Sequence, residues 1–337
     1  MTALRTRGAW LAIAVAAALV VAVGVAAAGA FGGCSETATK AGRPSAAVTS
    51  SAYGSVAAVT ARTLAQTVPH RVADTWGEIR AREAIYDAFQ QYGFFPRLQE
   101  LIAPGKGGQV HSANIFAVKE GDSAKQLIVG AHYDSAPVGQ GYSDNATGIG
   151  LLLETAARIK SQPTPYTVVL VAFGAEEKGL VGSRYYVKTM SDVQKKATIG
   201  MIDLDAPAGG DFISVTSRYG SPAWLRDDAL SAAKSLGIPL KSSPAGKGRP
   251  AGITWSPSDD DPFALNGIAT AVFTSTNWTA GKGDGRTATA AAGELWHTAR
   301  DTVAFIDDRY PGRVRKQLAQ LTRLLETLLT SKLEKTP

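Results

Sequence analysis

The sequence predicts an α/β fold: a single three-layer α/β/α domain around a mixed, mostly parallel central sheet. Three observations carry this. Apolar runs of strand length alternate with helically spaced apolar stretches from about residue 114 onward. One run, Tyr166 to Phe173, is Val/Leu-rich on both faces, as a strand covered on both sides must be. The 337 residues are 45% hydrophobic and 19% charged, enough for a large core without covalent staples. The one cysteine, Cys34, rules out an internal disulfide and a Cys-rich zinc knuckle, so any metal must be held by His, Asp and Glu. The formal net charge of +6 is scattered, with no Lys/Arg block of the kind that tracks a phosphate backbone, so no nucleic-acid partner is expected.

The chain opens with Arg5 and Arg7, then an almost unbroken apolar run from Ala9 to Gly33. Residues 1–34 therefore read as a signal peptide or membrane anchor. Phe31-Gly32-Gly33 before Cys34 resembles the lipobox of bacterial lipoproteins, although Phe31 stands where Leu is usual. Either way the body is exported, to the cell surface or beyond. Residues 35–54, rich in Ser, Ala, Thr and Gly, read as a flexible linker, and 55–335 as the folded domain. Helices are expected from Ser55 and over Trp76–Tyr92, stopped by Gly93. Strands are expected at Asn114–Val118 and Gln126–Ala131, with Gly121-Asp122 as a hairpin turn between them. A glycine-rich loop leads to a helix opening near Thr147 and running to Ile159, then comes the Tyr166 strand. A helix over Leu180–Met190, strands at Ile199–Leu204 and Phe212–Thr216 and a helix over Pro222–Leu236 follow. A Ser/Pro/Gly loop at 242–258, a strand at Ile268–Thr274 and an amphipathic helix over Pro311–Leu333 close the chain.

Chemistry-bearing residues gather at the ends of these elements. The Gln126 strand ends at His132, Tyr133, Asp134 and Ser135, and Asp144-Asn145 precedes the Thr147 helix. Glu176-Glu177 follows the Tyr166 strand, and Asp203 and Asp205 end the Ile199 strand. His297 lies in Leu-Trp-His-Thr-Ala-Arg-Asp-Thr. His132, Asp144, one Glu, one Asp and His297 give two nitrogen and three carboxylate donors. That set suits two zinc ions, each with one histidine and one carboxylate of its own, bridged by the remaining carboxylate. Adjacent acids at a helix start also suit the helix dipole, so either glutamate could simply be solvated. Strand alternation puts Asp203 and Asp205 on one side and does not choose between them. His70 and His111 lack such company. The glycosylation sequons at Asn145 and Asn277 read as accidental.

The motifs His-x-Asp-Ser (132–135), Ser-Asp-Asn-Ala-Thr-Gly (143–148), Glu-Glu-Lys-Gly-Leu-x-Gly-Ser (176–183), Leu-Asp (204–205) and His-Thr-x-x-Asp-Thr (297–302) stand in the order and spacing of one family. Over residues 78–305 the chain resembles the M28 zinc aminopeptidases. The resemblance implies a zinc-exopeptidase-like fold, two Zn2+ per chain and peptide substrates with free N-termini. It makes Asp144 the bridge, with His132 and Asp205 on one metal and Glu177 and His297 on the other. Glu176 becomes the general base, and Asp134 hydrogen-bonds His132 and fixes its tautomer. A cis Asp144–Asn145 peptide is also implied, and a monomer is expected. The substrate pocket is expected from residues 242–280 and the loops around Tyr142 and Trp278.

Two positions depart from the family. Asp260 stands where Ser-Asp-His-x-Pro-Phe has its histidine, so altered substrate or water contacts are expected rather than lost catalysis. Trp296 stands where many members have an oxyanion-binding tyrosine, leaving that charge to the indole N–H or to the metals. Two alternatives follow. A glutaminyl-cyclase-like enzyme would use one zinc, and the Asp259-Asp260 pair leans that way. A non-catalytic surface binding domain of the same fold would have lost ligands, and none is missing.

Overall fold

The computed structural model describes residues 51–246 and 248–333. The 1–34 segment with Cys34, and the linker up to residue 50, lie outside the described residues. Among the described residues no helix is long and apolar enough to cross a membrane.

Helix α1 spans Ser55–Thr67 and α2 spans Trp76–Gln91. Strands β1 (Arg97–Gly105), β2 (Gly108–Lys119) and β3 (Gln126–His132) follow, then α3 (Thr147–Ile159) and β4 (Thr167–Phe173). Next come α4 (Val181–Thr189), α5 (Asp192–Ala197), β5 (Thr198–Leu204), β6 (Phe212–Arg218) and α6 (Trp224–Ser235). The chain ends with β7 (Ile253–Thr254), α7 (Asp261–Ala264), β8 (Ala269–Thr276), α8 (Val303–Arg309) and α9 (Arg313–Thr330).

The sheet runs β1-β2-β4-β3-β5-β8-β6-β7. Its centre, β4-β3-β5-β8, is parallel, whereas β1, β2 and β6 join antiparallel. Side-chain alternation divides the core between two faces. Val168, Leu170 and Ala172 of β4 join a large cluster with α1, α3, α6 and α9, while Val169, Val171 and Phe173 pack with Val187, Met190 and Phe263 on the other side. All thirteen residues of α3 are buried, as an apolar helix sandwiched between a sheet and other helices should be. Its Glu154 accepts N–H bonds from Gly54 and Ala57 at the start of α1, where the helix dipole favours an anion, and pairs with Arg158.

One expectation needs correction. Gly121-Asp122 is not a hairpin, because β2 and β3 are not neighbours. The chain steps over β4, and Gly121 and Asp122 instead donate to Thr167 Oγ1 and the Thr164 carbonyl. The hairpin is β1–β2, with Gly105 opposite Gly108. Strand β1 and the short helices α5, α7 and α8 add to the expected elements. The parallel arrangement of β3, β4 and β5 brings their C-terminal ends to one edge, where their trailing residues meet.

Candidate metal centre

His132, the last residue of β3, is buried and points its Nε2 at 3.1 Å from Asp144 Oδ1 and 3.5 Å from Asp205 Oδ1. His297 Nε2 lies 3.2 Å from Asp144 Oδ2 and 3.0 Å from Glu177 Oε2. One oxygen of Asp144 thus faces each histidine. Two donor triads result, His132–Asp144–Asp205 and Asp144–Glu177–His297, each with its atoms within 4.8 Å of one another and Asp144 common to both. Donors on a tetrahedral zinc sit about 2.0–2.1 Å from the ion and so about 3.3 Å from each other. The N···O separations here bracket that value. Asp144 Oδ1 is moreover buried, with the His132 ring nitrogen beside it but no well-aligned hydrogen bond, which an electropositive ion would remedy. The residues fit two zinc ions.

The Asp144–Asn145 peptide is cis. Asn145 donates to the Leu204 carbonyl at 2.8 Å and accepts from Gly148 and Ala206 N–H, stitching the Asp144 turn to the end of β5. A Cβ at Gly148 would lie 2.3 Å from Asn145 Oδ1, so glycine is required there. Asn145 is fully buried and Asn277 nearly so, as accidental sequons would be. Asp205 is braced by Ser258 Oγ at 2.9 Å. Asp203 is buried and accepts the Asp260 N–H at 3.1 Å, whereas Asp205 faces His132.

Asp134 stands beside His132 and also holds a second segment. Its carboxylate accepts the N–H groups of Glu176 and Glu177 at 2.9 and 3.1 Å, and lies 3.6 Å from His132 Nδ1. The Asp134 backbone carbonyl is nearer that nitrogen, at 3.2 Å. Asp134 therefore anchors the Glu176-Glu177 turn to the strand bearing His132. Two residues escaped the sequence reading. Buried Asp301 accepts the N–H groups of Ser143 and Asp144 at 2.6 and 3.1 Å. Its position in the His-Thr-x-x-Asp-Thr motif was the available signal. Buried Arg71 binds the carbonyls of Tyr133, Gln140 and Gly141, and nothing local marked it.

Burial pushes the Glu176 carboxyl well above its usual range, His132 opposes, and Asp259, Asp205 and Glu177 push it further up. Glu177 is likewise raised by burial, against a hydrogen bond from His297. Burial also disfavours charge on Asp144, yet His132 and His297 outweigh it and hold that carboxyl far below the ordinary range. Hydrogen bonds to Asp144 and Glu177 lift His297 to about 11. His132 loses basicity by burial, but Asp134, Asp144 and Asp205 more than restore it. Bound cations invert this pattern by stabilising every carboxylate and the neutral imidazoles.

The cleft over the triads has a volume of about 150 Å³ and is bordered by Glu176, Thr216, Thr254, Val272, Trp278 and Trp296, with Asp284 and Arg286 also lining it. Asp144 brings the loop around Tyr142 into it, while Tyr142 itself is buried away from the cleft, with its hydroxyl toward Asp307. Asp260 is not there either: its carboxylate pairs with Arg218 at 3.2 Å inside the protein, satisfying a structural rather than a substrate contact. Exposed His70 and His111 join neither triad.

Comparison with known proteins agrees with this geometry. A family model described as Peptidase family M28 matches residues 114–322. The alkaline phosphatase isozyme conversion protein of Escherichia coli is 32% identical over 82% of this chain and 90% of its own length. Aminopeptidase YwaD of Bacillus subtilis is 32% identical over 48% of this chain, a match spanning 35% of that longer protein. Among solved structures, a Bacillus subtilis zinc aminopeptidase superposes with a TM-score of 0.68 at 17% identity, over 85% of this chain and 98% of its own. A Porphyromonas gingivalis glutaminyl cyclase superposes with a TM-score of 0.66 at 19% identity, over 82% and 98%. At such identities both superpositions speak for the fold alone.

Proposed function

The chain belongs to peptidase family M28, and from that membership we propose that it is an exported aminopeptidase removing N-terminal residues from peptides at a co-catalytic di-zinc centre. The carrying observation is Asp144, shared between two histidine–carboxylate pairs with Glu176 bordering the same cleft. His132 and Asp205 hold one ion, Glu177 and His297 the other, and Asp144 both. When bound, zinc would supply Lewis acidity toward the scissile carbonyl and the attacking water. Glu176, at the border of the cleft, is the general base that accepts a proton from the attacking water and gives it to the departing amine. Asp134, holding the Glu176 and Glu177 N–H groups, fixes the base relative to the ligand next to it. The acidic surroundings attract the substrate's free ammonium. Residues 1–34 carry the enzyme out of the cytoplasm as a signal peptide or anchor, or as a lipoprotein leader ending at Cys34, and the domain acts as a monomer.

Amino-acid anilides test the reading. The zinc-loaded protein should hydrolyse them, and Glu176→Ala should not. Equal inactivity of both proteins contradicts it. A glutaminyl-cyclase-like activity is favoured by Asp259, which is fully buried and raises the proton affinity of Glu176. One tightly held zinc per chain, with cyclisation of N-terminal Gln, would select it.

A further inference from the structure

Arg71 lies ahead of the residues matched by the family model, yet it is among the largest fully buried side chains of the molecule. Its guanidinium is directed at carbonyls rather than at a carboxylate. Nε donates to Tyr133 O at 2.8 Å, Nη1 to Val68 O at 3.3 Å and Gln140 O at 3.0 Å, and Nη2 to Gly141 O at 2.7 Å. Its backbone N–H donates to Ser135 Oγ, and its carbonyl accepts the Ser135 N–H. Tyr133 directly follows His132, and Gly141 stands three residues before Asp144. One rigid fork therefore grips both ends of the loop that separates the buried histidine from the shared carboxylate. A Cβ at Gly141 would lie 2.7 Å from Nη2, so the close approach depends on glycine. Burial lowers the guanidinium pKa to about 10, with Asp301, Asp134, Asp144 and Glu177 opposing the fall, so it stays charged at neutral pH.

We infer that Arg71 is a positioning residue for the metal centre: by tying the Tyr133, Gln140 and Gly141 carbonyls together, it holds His132 and Asp144 at ligand spacing before metal arrives. The inference rests on the ligand assignment proposed above. Its chemistry is that of an outer-shell partner, whose loss typically weakens metal binding by about 10–100-fold.

The test uses the full chain in detergent, stripped of metal and titrated with zinc against a competing chelator. Arg71→Lys keeps the charge and loses the fork, while Arg71→Met keeps bulk and loses the charge. Both should bind zinc at least about tenfold more weakly than wild type, with kcat lowered and KM nearly unchanged. Should Arg71→Met fail to fold, Arg71→Lys and Ser135→Ala carry the comparison. Wild-type zinc affinity in folded Arg71→Lys, even with a lowered Tm, would overturn the inference and leave Arg71 a purely structural residue. A wild-type protein that binds one zinc would instead overturn the two-metal reading, and the inference with it.

Discussion

The two halves of the site have the same donor types, but their histidines have opposite surroundings. His132 ends a central strand, with its side chain 1% exposed, and its partner Asp205 is braced by Ser258. His297 sits in an irregular stretch at φ 58°, with its side chain 48% exposed, opposite Glu177 in a turn. One half is built into the sheet, and the other is laid over it by the segment between β8 and α8. Donor chemistry alone would make the halves equivalent. Their supports do not, because a ligand fixed by strand pairing and burial reorganises less than one on a loop. The ion on the His297 side should therefore exchange first, while the His132 side holds its ion and its share of the fold.

The largest expected effect belongs to the residue between the halves. Glu176→Gln should lower kcat by about 10²–10⁴-fold while both zinc ions remain bound, measured by steady-state kinetics beside metal analysis. Loss of metal in that variant would mean that Glu176 is a ligand rather than a base. The halves themselves are separated by paired deletions. His297→Ala should fold normally and retain one zinc. His132→Ala should lose both ions and several kcal/mol of stability, since it leaves Asp144 and Asp205 facing each other in a buried site. Equal zinc content and equal Tm in the two variants would erase the distinction.

A smaller effect probes the charge density behind the buried half. Glu78 is hydrogen-bonded to Ser112 and the Asp74 N–H, and burial lifts its pKa to about 7, the Ser112 bond opposing and Asp134 adding. A carboxyl whose folded pKa is raised costs nothing below the unfolded value near 4.5, and its cost grows until about pH 7. The metal-free wild type should thus lose stability relative to Glu78→Gln between pH 4.5 and pH 7.5, by about 3 kcal/mol at most. Parallel denaturation curves across that range would exclude this origin.

The same contrast governs what could be read from the sequence. His132, Asp205 and the Glu176-Glu177 pair each follow a long apolar run, so they were legible as residues trailing a strand. His297 was placed by its motif alone, since no periodic element carries it. Strand β1 escaped because it buries little beyond Leu101 and is held by backbone pairing with β2, which leaves no apolar stripe. Helix α5 buries none of its residues, and its one signal was the Ser191/Gln194 capping box. The false hairpin at Gly121-Asp122 came from correct turn chemistry, but a dipeptide cannot reveal that β4 takes the place between β2 and β3. Arg71 was illegible because its carbonyl partners at the metal-centre loop are more than 60 positions away, and carbonyls leave no trace in residue identity.

The central claim, two unequal metal positions joined by Asp144, is tested most directly by zinc-edge anomalous scattering from crystals before and after brief chelation. Two peaks about 3.5–4 Å apart are expected, one on each side of Asp144, with the peak beside His297 fading first. A single peak, or two that fade together, would contradict the account.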